Sequence, residues 1–118
     1  KPNTDDMRDS PSLDIVPALM AAGASVSAFD PASMKEAQKH AEFNGMHYAS
    51  DAYDALKDAD ACVIITEWNE FRALDFARMA SLMRGRAIID LRNIYAPGEP
   101  AGAGFDYVSI GRPARTKR

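Results

Sequence analysis

Apolar residues along this chain fall into two rhythms, short unbroken runs and helical spacings, and the two alternate from end to end. Ala61-Cys62-Val63-Ile64-Ile65-Thr66 and Ala87-Ile88-Ile89-Asp90 are apolar runs that close on a polar residue, as strands covered on both faces do. Ala24 to Phe29, His47 to Ala49 and Tyr107 to Ile110 are further strand candidates. Between them the spacing turns helical. Leu13, Val16 and Met20, with Ile15 and Leu19, predict a helix that opens on Ser10-Pro11 and closes at Gly23. Pro17 lies inside it, removes one backbone bond and predicts a kink near Leu13. Asp30-Pro31 repeats the cap-then-proline signal ahead of a helix from Ala32 to about Glu42, which stops near Asn44-Gly45. Asp51 caps a short helix through Leu56. Asn69 to Met83 reads as helix in two pieces, with Asp75 as the second cap and Gly85 as the stop. Pro97, Gly98, Pro100 and Gly102 mark a loop before the last strand.

Strands alternating with helices at this spacing predict an α/β fold: a Rossmann-like, open, mostly parallel sheet with helices on both faces. In such sheets ligands bind at the carboxyl ends of the strands. Asp30, Thr66-Glu67-Trp68 and Asp90-Leu91-Arg92-Asn93 all follow strand ends, so polar residues are expected to gather on one edge. The first helix has no strand before it, whereas doubly wound folds usually start on a strand. The expectation is a first strand missing from this chain and a natural sequence that extends upstream of Lys1.

Composition narrows the class without naming a function. The 118 residues make one domain, with 47% hydrophobic and 26% charged residues, the balance of an ordinary globular protein. No apolar run approaches the roughly 20 residues of a membrane helix, and Lys1 to Arg8 is too polar for a signal peptide. A net charge of −3 supplies no basic face for nucleic acid. One cysteine, Cys62, rules out an internal disulfide, suits a reducing cytoplasm and sits in a strand, where a thiol acts as a small hydrophobe. His40 and His47 have no partners at ligand spacing, so a metal site has no support.

The candidate chemistry is binding rather than catalysis. No GxGxxG or GxxxxGKS/T loop is present, so a dinucleotide has no conventional cradle, although Asp30 stands where a ribose-binding acid or a helix cap would. The arm Lys1-Pro2-Asn3-Thr4-Asp5-Asp6-Met7-Arg8 is either a solvated tail or a holder for a diphosphate or ribose through charge-assisted bonds. Arg92 follows a buried strand and either pairs with a carboxylate or recognises an anion. Trp68 either packs in a core or interface or stacks on a base or sugar. No Ser-His-Asp or Cys-His arrangement supports hydrolysis.

Four segments resemble, in order, blocks of the UDP-glucose/GDP-mannose dehydrogenase family, most closely its UDP-glucose 6-dehydrogenase branch. They are Lys1-Pro2-Asn3-Thr4-Asp5-Asp6-Met7-Arg8-Asp9-Ser10-Pro11-Ser12, Thr66-Glu67-Trp68-Asn69-Glu70-Phe71, Asp90-Leu91-Arg92-Asn93-Ile94-Tyr95 and Tyr107-Val108-Ser109-Ile110-Gly111-Arg112. The resemblance implies that residues 1–118 are the C-terminal UDP-sugar-binding domain of a larger dehydrogenase, which oxidises UDP-glucose to UDP-glucuronate for polysaccharide biosynthesis with NAD. It implies substrate contacts from Lys1 and Arg92, and a contact to NAD from Arg8. It implies no catalytic residue in this chain, since the nucleophile and most of the NAD site belong to an N-terminal domain absent here. It also implies a homodimer in the full enzyme. The expected fragment is inactive alone, and either destabilised or paired through an exposed sheet edge with a second copy. Two alternatives come from other classes: a receiver-like or regulatory module, which would need paired acids after a first strand where Asp5-Asp6 has no such strand before it, and an interaction domain without ligand.

Overall fold

The computed structural model describes residues 12–32, 34–40, 43–66, 68–96 and 98–110. Helices and strands alternate through them: α1 (Ser12–Ala21), β1 (Ser27–Ala28), α2 (Met34–Ala37), β2 (His47–Tyr48), α3 (Ala52–Leu56), β3 (Ala61–Ile64), α4 (Asn69–Arg72), α5 (Phe76–Leu82), β4 (Ala87–Asp90), α6 (Gly98–Gly102) and β5 (Asp106–Ser109). All described strand pairs are parallel. The α/β, Rossmann-like class expected from the alternation is the class observed. The strands form two ladders, β1-β2 and β3-β4-β5, and the chain divides into two compact units at Ala55 and Leu56.

The first unit holds the shorter ladder, with Ser27 opposite His47 and Ala28 opposite Tyr48. Val16, Ala37, Phe43 and Met46 are its buried core, with Met20, Val26, Ala28 and Tyr48 packed against them. Val16 and Met20 stand four apart on α1, so one helical stripe delivers both. Helix α1 runs on through Pro17. It ends in a Schellman motif: Ala24 N–H donates to Leu19 O at 3.0 Å, Gly23 N–H to Met20 O at 3.0 Å, and Gly23 has φ +97°. The expected Ser10-Pro11 start lies outside the described residues. In this unit α2 and β1 are much shorter than their patterns predict. The Asp30 carboxylate accepts from Ala32 N–H at 2.9 Å, which spends residues 30–32 on a turn, so α2 starts only at Met34. His40 N–H donates to Ala37 O, three residues back, and that tighter bond closes α2 well before Glu42. Strand β1 covers two residues rather than Ala24 to Phe29 because β2 is its only described neighbour and is itself two residues long.

In the second unit Ile64, Asp90 and Ser109 stand level at the carboxyl ends of β3, β4 and β5. Side chains alternate across the sheet with period two. Cys62, Ile64, Ile88, Asp90, Tyr107 and Ser109 share the buried face, while Ile89 and Val108 on the other are 36% and 45% exposed. Helices α4 and α5 form the predicted two-piece crossover. Asp75 caps the second piece by accepting from Ala77 N–H at 2.9 Å and Arg78 N–H at 3.3 Å. Phe76 then packs edge-on to Tyr95, with ring centres 5.0 Å apart, and lies 6.2 Å from Phe105.

The expected loop around Pro97 to Gly102 contains a one-turn helix, α6, with Pro100 and Ala101 buried. Pro100 falls within that first turn, where its missing N–H has no intrahelical partner to lose. A second Schellman motif ends α6, with Phe105 N–H on Pro100 O, Gly104 N–H on Ala101 O and Gly104 at φ +95°. Gly85 answers a different demand. Arg84 and Gly85 both donate to Ala59 O, and a Cβ on Gly85 would lie 2.0 Å from Asp60 O. Two backbones cross there, and only glycine fits.

Candidate functional site

Three level strand ends make the site. Because β3, β4 and β5 are parallel and in register, the chain leaves each of them at the same edge, through Ile65-Thr66, Leu91-Arg92 and Ile110. Thr66 and Trp68 are half-buried, Trp68 at the start of α4, and Glu67 lies outside the described residues. Arg92 is exposed, two residues beyond the end of β4. The sequence-level placement of Arg92 on the carboxyl edge is thus the observed one.

The loop that carries Arg92 is wrapped around the side chain of Asp90. That side chain is fully buried, and both of its oxygens are used. Oδ1 accepts from Arg92 N–H at 3.0 Å; Oδ2 accepts from Ile94 N–H at 2.8 Å, from Tyr95 N–H at 3.3 Å and from the Tyr107 hydroxyl at 2.6 Å. A carboxylate taken out of water needs such donors, since each unmet one would leave a large desolvation cost. Leu91 N–H donates to Ile64 O at 2.9 Å and carries the ladder one residue past β4. Asn93 then reverses the chain at φ +56°, the left-handed region that asparagine tolerates better than most residues. Two bonds extend the cluster. The Tyr107 hydroxyl also lies 3.3 Å from Tyr95 O, and the Tyr95 hydroxyl donates to Phe71 O on α4. The loop after β4 is therefore tied to β5 on one side and to the segment after β3 on the other.

Two neighbours complete the edge. Ser109, opposite Asp90 in register, is buried, and its hydroxyl has no hydrogen-bond partner among the described residues. Cys62 lies on the buried face of β3, and burial, with the charge of Asp90 as a second cause, pushes its thiol from 9.0 up to about 12. Such a thiol stays protonated and is no nucleophile. Among the described residues no three His, Cys, Asp or Glu side chains converge as metal ligands do. Lys1 and Arg8 lie outside the described residues. Asp30 makes its turn bond within the first unit, four residues ahead of α2, so it closes an Asx turn and is not the helix cap weighed for it.

The sequence reading missed Tyr107 and Tyr95 as parts of this site and treated Asp90 only as a strand-end acid. One signal was present, an acid closing a run of strand apolars. Three of its four partners lie 4, 5 and 17 residues away and are joined to it only by the fold.

The chain is 58% identical over 113 residues to the UDP-glucose 6-dehydrogenase of Rhizobium meliloti (strain 1021), an alignment covering 96% of this chain and 25% of that protein. It is 42% identical over 114 residues to the UDP-glucose 6-dehydrogenase TuaD of Bacillus subtilis (strain 168), covering 97% and 24%. The chain thus spans about a quarter of the length of these relatives. Among solved structures, the NDP-N-acetyl-D-galactosaminuronic acid dehydrogenase of Methanosarcina mazei Go1 superposes with a TM-score of 0.79 at 28% identity, over 93% of this chain and 22% of that one. The model of the UDP binding domain of the UDP-glucose/GDP-mannose dehydrogenase family matches residues 1–97, and the chain belongs to that family.

Proposed function

We propose that this chain binds the uridine diphosphate part of UDP-glucose and presents the sugar for oxidation to UDP-glucuronate by a longer, NAD-dependent dehydrogenase. The observation that carries the reading is Arg92, exposed on the carboxyl edge of a parallel sheet and borne on a loop whose backbone Asp90 holds. A guanidinium offers paired donors that match the oxygens of a diphosphate, and the edge is where open α/β sheets receive ligands. The role of this chain is positioning. A substrate held at its nucleotide end brings the distant sugar carbon to a fixed place, which can lower a barrier by several kcal/mol without any reacting group from this domain.

The proposal keeps Lys1 as a second substrate contact and Arg8 as a contact to NAD, both on the strength of the matched family segment. The described residues do not form a dinucleotide cradle. Their glycines are scattered, and none builds a GxGxxG turn at a helix start. No step of the oxidation is therefore assigned to them. NAD would supply the hydride acceptor from a site built mainly by other parts of the protein, which as a whole is expected to work as a homodimer in the cytoplasm.

Calorimetric titration with uridine, UMP and UDP tests the reading. UDP should bind most tightly and uridine least, and Arg92→Ala should weaken UDP by roughly 10-fold or more, the worth of a charge-assisted bond, while leaving uridine unchanged. Unaltered UDP affinity in Arg92→Ala would remove the assignment.

A further inference from the structure

Arg92 and Asn93 are exposed, yet the loop that carries them is held by an inner network that is almost wholly buried. Asp90 is fully buried, Tyr107 is 1% exposed and Tyr95 is 3% exposed. Their bonds run as one connected path: Arg92 N–H and Ile94 N–H to Asp90, the Tyr107 hydroxyl to Asp90 and toward Tyr95 O, and the Tyr95 hydroxyl to Phe71 O. Each group serves a different element. Asp90 ends β4, Tyr107 lies on β5, and Phe71 belongs to α4, which follows β3. A hydrophobic core would hold these elements together equally well without a buried carboxylate and two buried hydroxyls. Buried polar networks are costly unless complete, and what they add over apolar packing is a defined direction for each donor and acceptor. Here the direction is imposed on the backbone that carries Arg92.

We infer that Asp90, Tyr107 and Tyr95 are positioning residues for ligand binding: they hold the Arg92 loop in its anion-receiving geometry without touching the ligand, and so set the affinity for the diphosphate. The inference rests on the reading of Arg92 given above. It predicts that the network acts through Arg92, so that loosening the network and deleting the guanidinium remove the same binding contribution. Tyr107→Phe is the sparing test, because it deletes one hydroxyl and keeps the ring that packs 6.4 Å from Tyr95.

UDP affinity would be measured by calorimetry on the chain, Tyr107→Phe, Arg92→Ala and the double variant, below the melting temperature of each. Tyr107→Phe should weaken UDP by roughly 10-fold, in line with the cost of misplacing a binding group, and leave uridine unchanged. The double variant should bind no more weakly than Arg92→Ala alone, since coupled groups are not additive. Backbone amide exchange at Arg92, Ile94 and Tyr95 should speed up in Tyr107→Phe while that of the β3-β4 ladder stays unchanged. Tyr95→Phe, which cuts the link to Phe71, serves if Tyr107→Phe does not fold, and should give a smaller loss of the same kind. Losses that add in the double variant, or undiminished UDP affinity in a folded Tyr107→Phe, overturn the positioning role and leave Arg92 in place. Undiminished affinity in Arg92→Ala overturns both readings. Should the chain bind no UDP, the reading of its function falls, and unchanged exchange at the three amides would then dispose of the network's hold on the loop as well.

Discussion

At the scale of single residues, burial decides what Cys62 and Asp90 can do. Both lie on the inner face of the sheet. Cys62 has its thiol pushed from 9.0 up to about 12 by burial and then by the charge of Asp90. The sign of the resulting pH dependence follows from linkage. The folded chain holds the thiol proton more tightly than the unfolded chain does, so this contribution to stability is complete below pH 9 and is lost as pH rises toward about 12. Denaturant titrations from pH 8 to 11 should show the chain losing more stability with pH than Cys62→Ala does. A thiol reagent at pH 8 should leave folded Cys62 unmodified and react once the chain is unfolded. Equal pH slopes for the two proteins would contradict the burial argument. The inert character of Cys62 was legible from its apolar strand. The role of Asp90 was not, because an acid after a strand looks the same in sequence whether it faces water or accepts from four donors.

Single elements are governed by their ends. Asp51 and Asp75 were read as caps and act as caps: Asp51 accepts from Asp54 N–H at 2.7 Å, and Asp75 from Ala77 and Arg78. Such signals are local, with donor and acceptor two or three residues apart, so the sequence displays them. The misjudged elements depend on less local terms. Helix α6 was taken for a loop because Pro100 and its flanking glycines read as breakers, yet a proline in a first turn breaks nothing. Gly85 was read as a helix stop, and its stricter duty is the backbone crossing over Asp60. Gly85→Ala should therefore destabilise the chain by on the order of 3 kcal/mol, as overpacking against an immovable backbone does. Gly98→Ala, whose added Cβ meets nothing within 4 Å, is the control and should change stability far less. Chemical denaturation of the two variants provides the comparison, and equal losses would refute the crossing argument.

For the molecule as a whole, the parallel register of β3, β4 and β5 turns three separated segments into one edge. Arg92 stands on that edge only because Ile64, Asp90 and Ser109 end level. A ligand that binds this edge in the native state alone must stabilise the whole cooperative unit by linkage. At about 100 times its dissociation constant, UDP should add about 2.7 kcal/mol, a rise in melting temperature on the order of 10 °C for a unit of this size. Scanning calorimetry of the chain and Arg92→Ala, each with UDP, checks this, and the rise should shrink in the variant at the same UDP concentration. A rise of the same size in both would show that UDP acts elsewhere.

The α/β class, most element positions, the caps at Asp51 and Asp75 and the place of Arg92 beyond a strand end were all readable from residue order. Each depends on neighbours within a few positions, where side-chain period and capping chemistry act. The closure of Asp90 by Tyr107, the tie from Tyr95 to Phe71 and the need for glycine at position 85 were not readable. Those are agreements between residues 17 to 25 positions apart, and they come into being only when parallel strands and their crossovers are packed.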